Sequence, residues 1–207
     1  MTWIETYSGK RFDLLDPKPE QVDLADIAHA LARINRFTGH TSRCYSVAEH
    51  SIYVQTLVVR DHPKDIPLLA HALLHDAEEA YVGDVSSPLK WAMRELAPGM
   101  GVTEFDRLAS RAQATILKAL SLPEPTDEQE AIIKRADLLM LRTERAAFLP
   151  NTGQHHWGGS EGVPDEKTLV KLKAGPLPPE IVSKLFFSMA MALVAAAHGK
   201  LSDANSP

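Results

Sequence analysis

Along most of the chain the apolar positions recur at the three-to-four-residue spacing of amphipathic helices. Residues 2–15 differ. There Trp3, Ile4 and Tyr7 precede a Ser8-Gly9 turn and Phe12, Leu14 and Leu15 follow it, which predicts a small hairpin. The bend Asp16-Pro17-Lys18-Pro19 closes that extension. Asp23 is then placed to cap a helix through Asn35, with Leu24, Ile27, Ala28, Leu31 and Ile34 on one face.

Ser46 followed by Glu49 forms a capping box, so a second helix is expected to start there, with His50 in its first turns. Pro63 and Pro67 bracket the entry to a third helix, expected to run from Leu68 through Tyr81 and to end at Gly83. Further helices are expected over 88–97, 103–121, 126–148 and 179–198, with Thr126 and Gln129 repeating the capping box. Residues 150–163, rich in Gly, Asn, His and Ser, read as a mobile loop. The apolar stretch from Leu185 to Ala197 is shorter than the roughly 20 residues a bilayer span needs and reads as a buried helix. The expected fold is an all-α bundle in a single domain, residues 1–207. An N-terminal β-hairpin extension occupies 1–20 and a flexible tail 199–207.

Composition narrows the function classes. Hydrophobic residues make up 44% of the 207-residue chain and charged residues 24%, which is ordinary globular usage. A formal net charge of −5 argues against a nucleic-acid polymer as partner, since phosphate backbones need a basic face. The single cysteine, Cys44, excludes both an internal disulfide and a thiolate metal site. The N-terminus carries no basic region followed by an apolar run, so no signal peptide is read and a cytoplasmic protein without membrane attachment is expected.

The chemistry lies in four residues: His50, the His75-Asp76 dipeptide and Asp137. Two imidazoles and two carboxylates make a mixed nitrogen and oxygen set suited to a divalent cation, and four ligands leave positions open on a six-coordinate ion. Asp137 stands between Ala136 and Leu138, where a buried anion needs a partner unless the helix turns it to solvent. Adjacent helical residues point about 100° apart, so His75 and Asp76 can share an ion only at a helix edge. Glu79, one turn after His75, is placed for general acid–base work, whereas Glu78 is expected to be solvated. Arg36 and Arg43 flank the loop leading to His50 and suit phosphate, with Lys90 a third basic candidate. Asp84 serves either as a cap or as an acceptor for a sugar hydroxyl. His71 reads as packing or a donor behind the site, and His155-His156-Trp157 as surface loop.

These stretches resemble the HD-domain metal-dependent phosphohydrolases, closest to the compact 5′-deoxynucleotidase-like branch. The likeness is carried by Arg36-Phe37, by Arg43 through Ser51, by Leu73 through Asp84, and by Lys134-Arg135-Ala136-Asp137. It implies a helical bundle with one divalent metal ion, of Mn, Co, Mg, Zn or Fe, held by His50, His75, Asp76 and Asp137. It also implies Glu79 as the catalytic carboxylate, Arg36 as a phosphate contact, Asp84 near the sugar, and a homodimer. Where that branch carries Trp against the sugar, this chain carries Phe37 and lacks the indole donor.

The expected function is therefore metal-dependent hydrolysis of a nucleotide phosphate ester, most simply a 2′-deoxynucleoside 5′-monophosphate. A deoxynucleoside triphosphate triphosphohydrolase of the same fold is one rival, and a metal-stabilised helical interaction module without turnover is another.

Overall fold

The computed structural model describes residues 1–96, 103–150 and 162–204. Two short antiparallel strands, β1 (Trp3–Glu5) and β2 (Arg11–Asp13), pair with Ile4 opposite Phe12. They are followed by α1 (Leu24–Leu31), α2 (Val47–Asp61), α3 (Ile66–Leu74), α4 (Glu79–Val82), α5 (Ser87–Leu96), α6 (Glu104–Ala119), α7 (Asp127–Phe148), α8 (Glu166–Lys173) and α9 (Pro179–Ala204). The molecule is an all-α bundle with a small N-terminal hairpin, as the patterning predicts.

The start signals act as expected. Asp23 accepts from the Ala25 amide, and Ser46 and Thr126 each close a reciprocal capping box with Glu49 and Gln129. The main core joins the hairpin, α1, α3, α6 and α9 through Phe12, Ile27, Leu31, Leu73, Leu74, Ile116 and Phe186, all fully buried. Phe12 stacks on Tyr81 with ring centroids 3.7 Å apart, so the hairpin helps to hold α4. Tyr45, Val54, Leu57, Met140, Phe148 and Leu172 form a second core, joining α2 to α7 and α8.

Several boundaries differ. The helix capped by Asp23 ends at Leu31 instead of Asn35, because Asn35 is taken into an antiparallel bridge with Ser46. The expected helix from Leu68 to Tyr81 is broken at His75–Glu78. Across the break the amides of Ala77, Glu79, Ala80 and Tyr81 each bond a carbonyl three residues back, the tighter 3₁₀ pattern. Helix α8 lies in a stretch where proline-rich sequence gave no helix expectation. The tail expected over 199–207 is helical as far as Ala204. Of the loop expected over 150–163, residues 151–161, with His155, His156 and Trp157, lie outside the described residues, as do 205–207.

Helix α9 is not the buried helix its composition suggests. Val182, Phe186, Ala190, Val194 and Ala197 face the core, but Ile181, Leu185 and Met191 are exposed. By length and composition alone, Pro179–Gly199 is long and apolar enough to cross a membrane, a longer stretch than Leu185–Ala197.

Asp165 fastens the start of helix α8, which Leu172 anchors in the second core. Asp165 accepts from the Thr168 amide at 2.9 Å as its cap and from Arg60 of α2 through paired bonds of 2.6 and 3.0 Å. The bond to Arg60 holds the Asp165 carboxyl well below the usual carboxylate range. Asp165→Ala is expected to cost about 1–2 kcal/mol in urea denaturation at neutral pH. Because the folded-state pKa is depressed, that contribution is complete above the unfolded pKa near 4 and fades as pH falls through the folded value. A variant that matches wild type at neutral pH would remove this assignment.

Candidate metal centre

Three elements bring the site together. Helix α2 supplies His50, one turn inside its capping box, and the Leu74–Glu79 break supplies His75 and Asp76. Asp137 comes from the middle of α7. The 3₁₀-like turn does not bring neighbours closer, since it sets them about 120° apart; the two meet because both side chains bend to the cluster, His75 Nε2 lying 3.2 Å from Asp76 Oδ2. His75 Nδ1 bonds the Ala72 carbonyl at 3.0 Å, which turns Nε2 toward the cluster.

The four side chains converge. His50 Nε2 lies 3.2 Å from His75 Nε2, 3.6 Å from Asp76 Oδ2 and 3.4 Å from Asp137 Oδ1. His75 Nε2 lies 3.2 Å from Asp76 Oδ2. An ion roughly 2.1 Å from each ligand spaces neighbouring donors about 3.0–3.4 Å apart, close to these separations. His50, His75 and Asp137 form a group that could hold a metal ion, with ligand atoms all within 4.8 Å of one another. His50 is fully buried, and the other three are partly buried.

Charge explains the protonation pattern of these side chains. Burial and Arg36 oppose a charge on His50, but Glu144 and Asp137 overcome them and push its pKa up to about 9. Burial raises Asp76, yet His75, His50 and Arg36 hold it well below the carboxylate range. Asp137 is held low against burial by His50, His75 and Lys134, whose ammonium sits 2.8 Å from Oδ2.

Sequence reasoning missed Glu144. It is fully buried and sits seven residues, two helical turns, beyond Asp137 on α7. One oxygen accepts from Tyr45 Oη at 2.9 Å and lies 2.6 Å from His50 Nδ1; the other is 3.4 Å from Arg36 Nε. A carboxylate on the far nitrogen of a ligating imidazole fixes its tautomer and ring orientation. The seven-residue spacing from Asp137 was the available signal.

Arg36 enters from a loop pinned to the start of α2, where its amide bonds the Tyr45 carbonyl at 2.9 Å. Its guanidinium stands between Glu144 and Asp76, the latter at 3.6 Å, and these carboxylates raise its pKa against burial. Phe37 and Thr38 follow at φ of 55° and 52°, a left-handed conformation that costs non-glycine residues free energy. The Arg36 guanidinium carbon lies 5.7 Å from the Phe37 ring centroid.

The other candidates divide. Glu79 is buried, its Oε2 without a hydrogen-bond partner among the described residues, and burial, followed by Asp76 and Asp84, pushes its pKa up to about 10. Glu78, expected to be solvated, is half-buried, its Oε2 without a hydrogen-bond partner among the described residues, and burial beside Asp76 raises it to about 8. Asp84 is half-buried and raised by burial and Asp76, against Arg36. Lys90 lies 5.4 Å from the Phe105 ring centroid and close enough to Glu78 and Asp84 to lower both. Arg43 is engaged elsewhere: it makes paired bonds to Glu49 at 3.2 and 3.0 Å and lies over Phe148 at 4.6 Å.

A cleft of about 840 Å³ opens beside the cluster, lined by His75, Asp76 and Asp137 together with residues of α3, α6 and α7. Fold and cluster thus define the class, an all-helical protein with a nitrogen–oxygen site able to hold a metal ion at the end of a cleft. No family model matches the chain. It is similar to an uncharacterized protein of Rhodobacter capsulatus, RCAP_rcc00048, at 36% identity over 86% of this chain and 89% of the relative. It is also similar to the uncharacterized protein YfdR of Escherichia coli, at 35% identity over 79% of this chain and 82% of the relative. The chain belongs to the family of these YfdR-like proteins.

Proposed function

We propose that the protein is a divalent-metal-dependent phosphohydrolase acting on nucleotide monophosphate esters, most simply 2′-deoxynucleoside 5′-monophosphates. The convergence of His50, His75, Asp76 and Asp137 beside a buried carboxylate, Glu79, whose Oε2 has no hydrogen-bond partner among the described residues, supports this reading. Asp76 is the fourth ligand in it. The donor set fits a divalent ion, which when bound supplies charge to polarise a phosphate oxygen and acidify water.

The chain's own residues divide the remaining work. Arg36 presents a permanent cation next to Asp76 and orients the phosphate. Glu79, kept protonated by burial, is positioned to give its proton to the ester oxygen that leaves. Asp84 accepts from a sugar hydroxyl, and Phe37 offers a ring face against the sugar. Lys90 adds positive charge on the Asp84 side. One phosphate suits the site better than three, because Arg36 and Lys134 are each already bound to carboxylates.

The test is phosphate release from a panel of deoxynucleoside mono- and triphosphates with Mn²⁺, Co²⁺ or Mg²⁺. Glu79→Gln is expected to lower kcat by at least about 100-fold while metal content and melting temperature stay at wild-type values. Wild-type turnover in that variant, or no phosphate release with any ion, would overturn the reading.

A further inference from the structure

Glu79 and Asp84 bracket helix α4, one at its first residue and the other two residues past its last. Four residues make a single turn, too short to hold its own direction in water. Glu79 Oε2 has no hydrogen-bond partner among the described residues, so its aim rests on the backbone that carries it. What fixes α4 therefore fixes Glu79. The other buried residue of that turn is Tyr81, 7% exposed.

Tyr81 is held by the N-terminal hairpin. Its ring lies against that of Phe12 with centroids 3.7 Å apart and planes within 7° of parallel. Phe12 is fully buried whereas its neighbour Arg11 is exposed, so the alternation of β2 aims one ring at α4. The hairpin is itself anchored. Thr6 Oγ1 donates to the Asp26 carboxylate of α1 at 2.6 Å, and the Ser8 hydroxyl and amide donate to it at 2.8 Å each. Asp26 is buried, so these bonds face little competition from water and hold the turn to α1. An anchored strand, a stacked ring pair and a single helical turn thus connect α1 to Glu79.

We propose that the hairpin braces the site, Phe12 being a positioning residue that acts through Tyr81 to set the direction of Glu79 and Asp84. Its effect on turnover rests on the phosphohydrolase reading, whereas the bracing of α4 does not.

The experiment compares the full-length, Mn²⁺-loaded wild-type protein with Phe12→Leu, Tyr81→Leu, their double variant and Tyr81→Phe. kcat and KM are measured for 2′-deoxyadenosine 5′-monophosphate well below each melting temperature. Hydrogen exchange is followed at the Val82 and Gly83 amides, which bond the Glu78 and Glu79 carbonyls. Phe12→Leu and Tyr81→Leu are each expected to lower kcat about 10–100-fold, the effect of a misplaced group. Exchange at those two amides is expected to quicken at least about tenfold. The double variant is expected to lose no more than the worse single one, since both changes act along one path. Tyr81→Phe keeps the ring and is expected to match wild type. Leu172→Ala, in the second core, is expected to lose stability and keep kcat.

Wild-type kcat or wild-type exchange in Phe12→Leu overturns the inference. So do losses that multiply in the double variant, a Tyr81→Phe enzyme as slow as Tyr81→Leu, or an equal fall in Leu172→Ala. Phe12→Met, which also removes the ring, takes the place of Phe12→Leu if that variant fails to fold. If the wild-type protein releases no phosphate while exchange shifts as expected, only the phosphohydrolase reading fails.

Discussion

Glu144→Ala is expected to destabilise the protein by about 3–5 kcal/mol, as when one partner of a buried ion pair is removed. The side chain is fully buried and serves three groups: Tyr45 Oη at 2.9 Å, His50 Nδ1 at 2.6 Å and Arg36 Nε at 3.4 Å. Its loss leaves the nearly buried Arg36 cation with Asp76, 3.6 Å away, as its remaining ion-pair partner. It also strands the Tyr45 hydroxyl in the second core. Glu144→Gln keeps an acceptor and the volume, so it is expected to lose less. Metal affinity is expected to fall roughly 10–100-fold in the alanine variant, because His50 loses the bond that sets its tautomer. Urea denaturation and elemental analysis of dialysed protein measure the two effects. A loss below about 1 kcal/mol with undiminished metal would show that Glu144 is a bystander.

Glu144 and the four residues of the cluster differ in how far the sequence reveals them. His50, His75, Asp76 and Asp137 stand out because a polar residue on an apolar helical face costs free energy unless something compensates it. The helices of His50 and Asp137 were legible from capping boxes at Ser46 and Thr126. Glu144 carries the same cost, but it follows Thr143 and precedes Arg145 in a charged stretch, where an exposed residue reads the same way. The seven-residue spacing from Asp137 hints at a shared face, and the packing of Tyr45 against α7 shows it buried. The break after Leu74 was equally hidden. Nothing in Leu73-Leu74-His75-Asp76-Ala77 is a helix breaker, and the tightening shows only in the backbone bonds. Sequence proximity to His50 suggested phosphate for Arg43, and its pairing with Glu49 at 3.0 Å shows only in the structure. The far face of α9 was misread because composition reports apolarity and not which side the core takes.

Divalent metal is expected to raise the melting temperature, and His50→Ala or Asp137→Ala to abolish the response. The argument is mass action. An ion bound only by the folded chain, at 100 times its Kd, stabilises by about 2.7 kcal/mol. For a chain of this length that corresponds to roughly 5–10 °C. Without an ion, Asp76 and Asp137 are balanced by the charge on His50, by Arg36 and by Lys134. With one, the imidazoles must give up their protons, so the same side chains serve two charge states. Either alanine variant leaves two of the three residues whose ligand atoms lie within 4.8 Å of one another. Asp76→Asn addresses the fourth ligand. A neutral amide keeps the size but loses the charge, so a response below wild type places Asp76 on the ion, while an unchanged one leaves it an ion-pair partner of His75, His50 and Arg36. The measurement is differential scanning fluorimetry after chelation and dialysis, with Mn²⁺, Co²⁺, Mg²⁺, Zn²⁺ and Fe²⁺ added singly. If the wild-type protein responds to none of them, the convergence of imidazoles and carboxylates is an ion-pair network and not a metal centre.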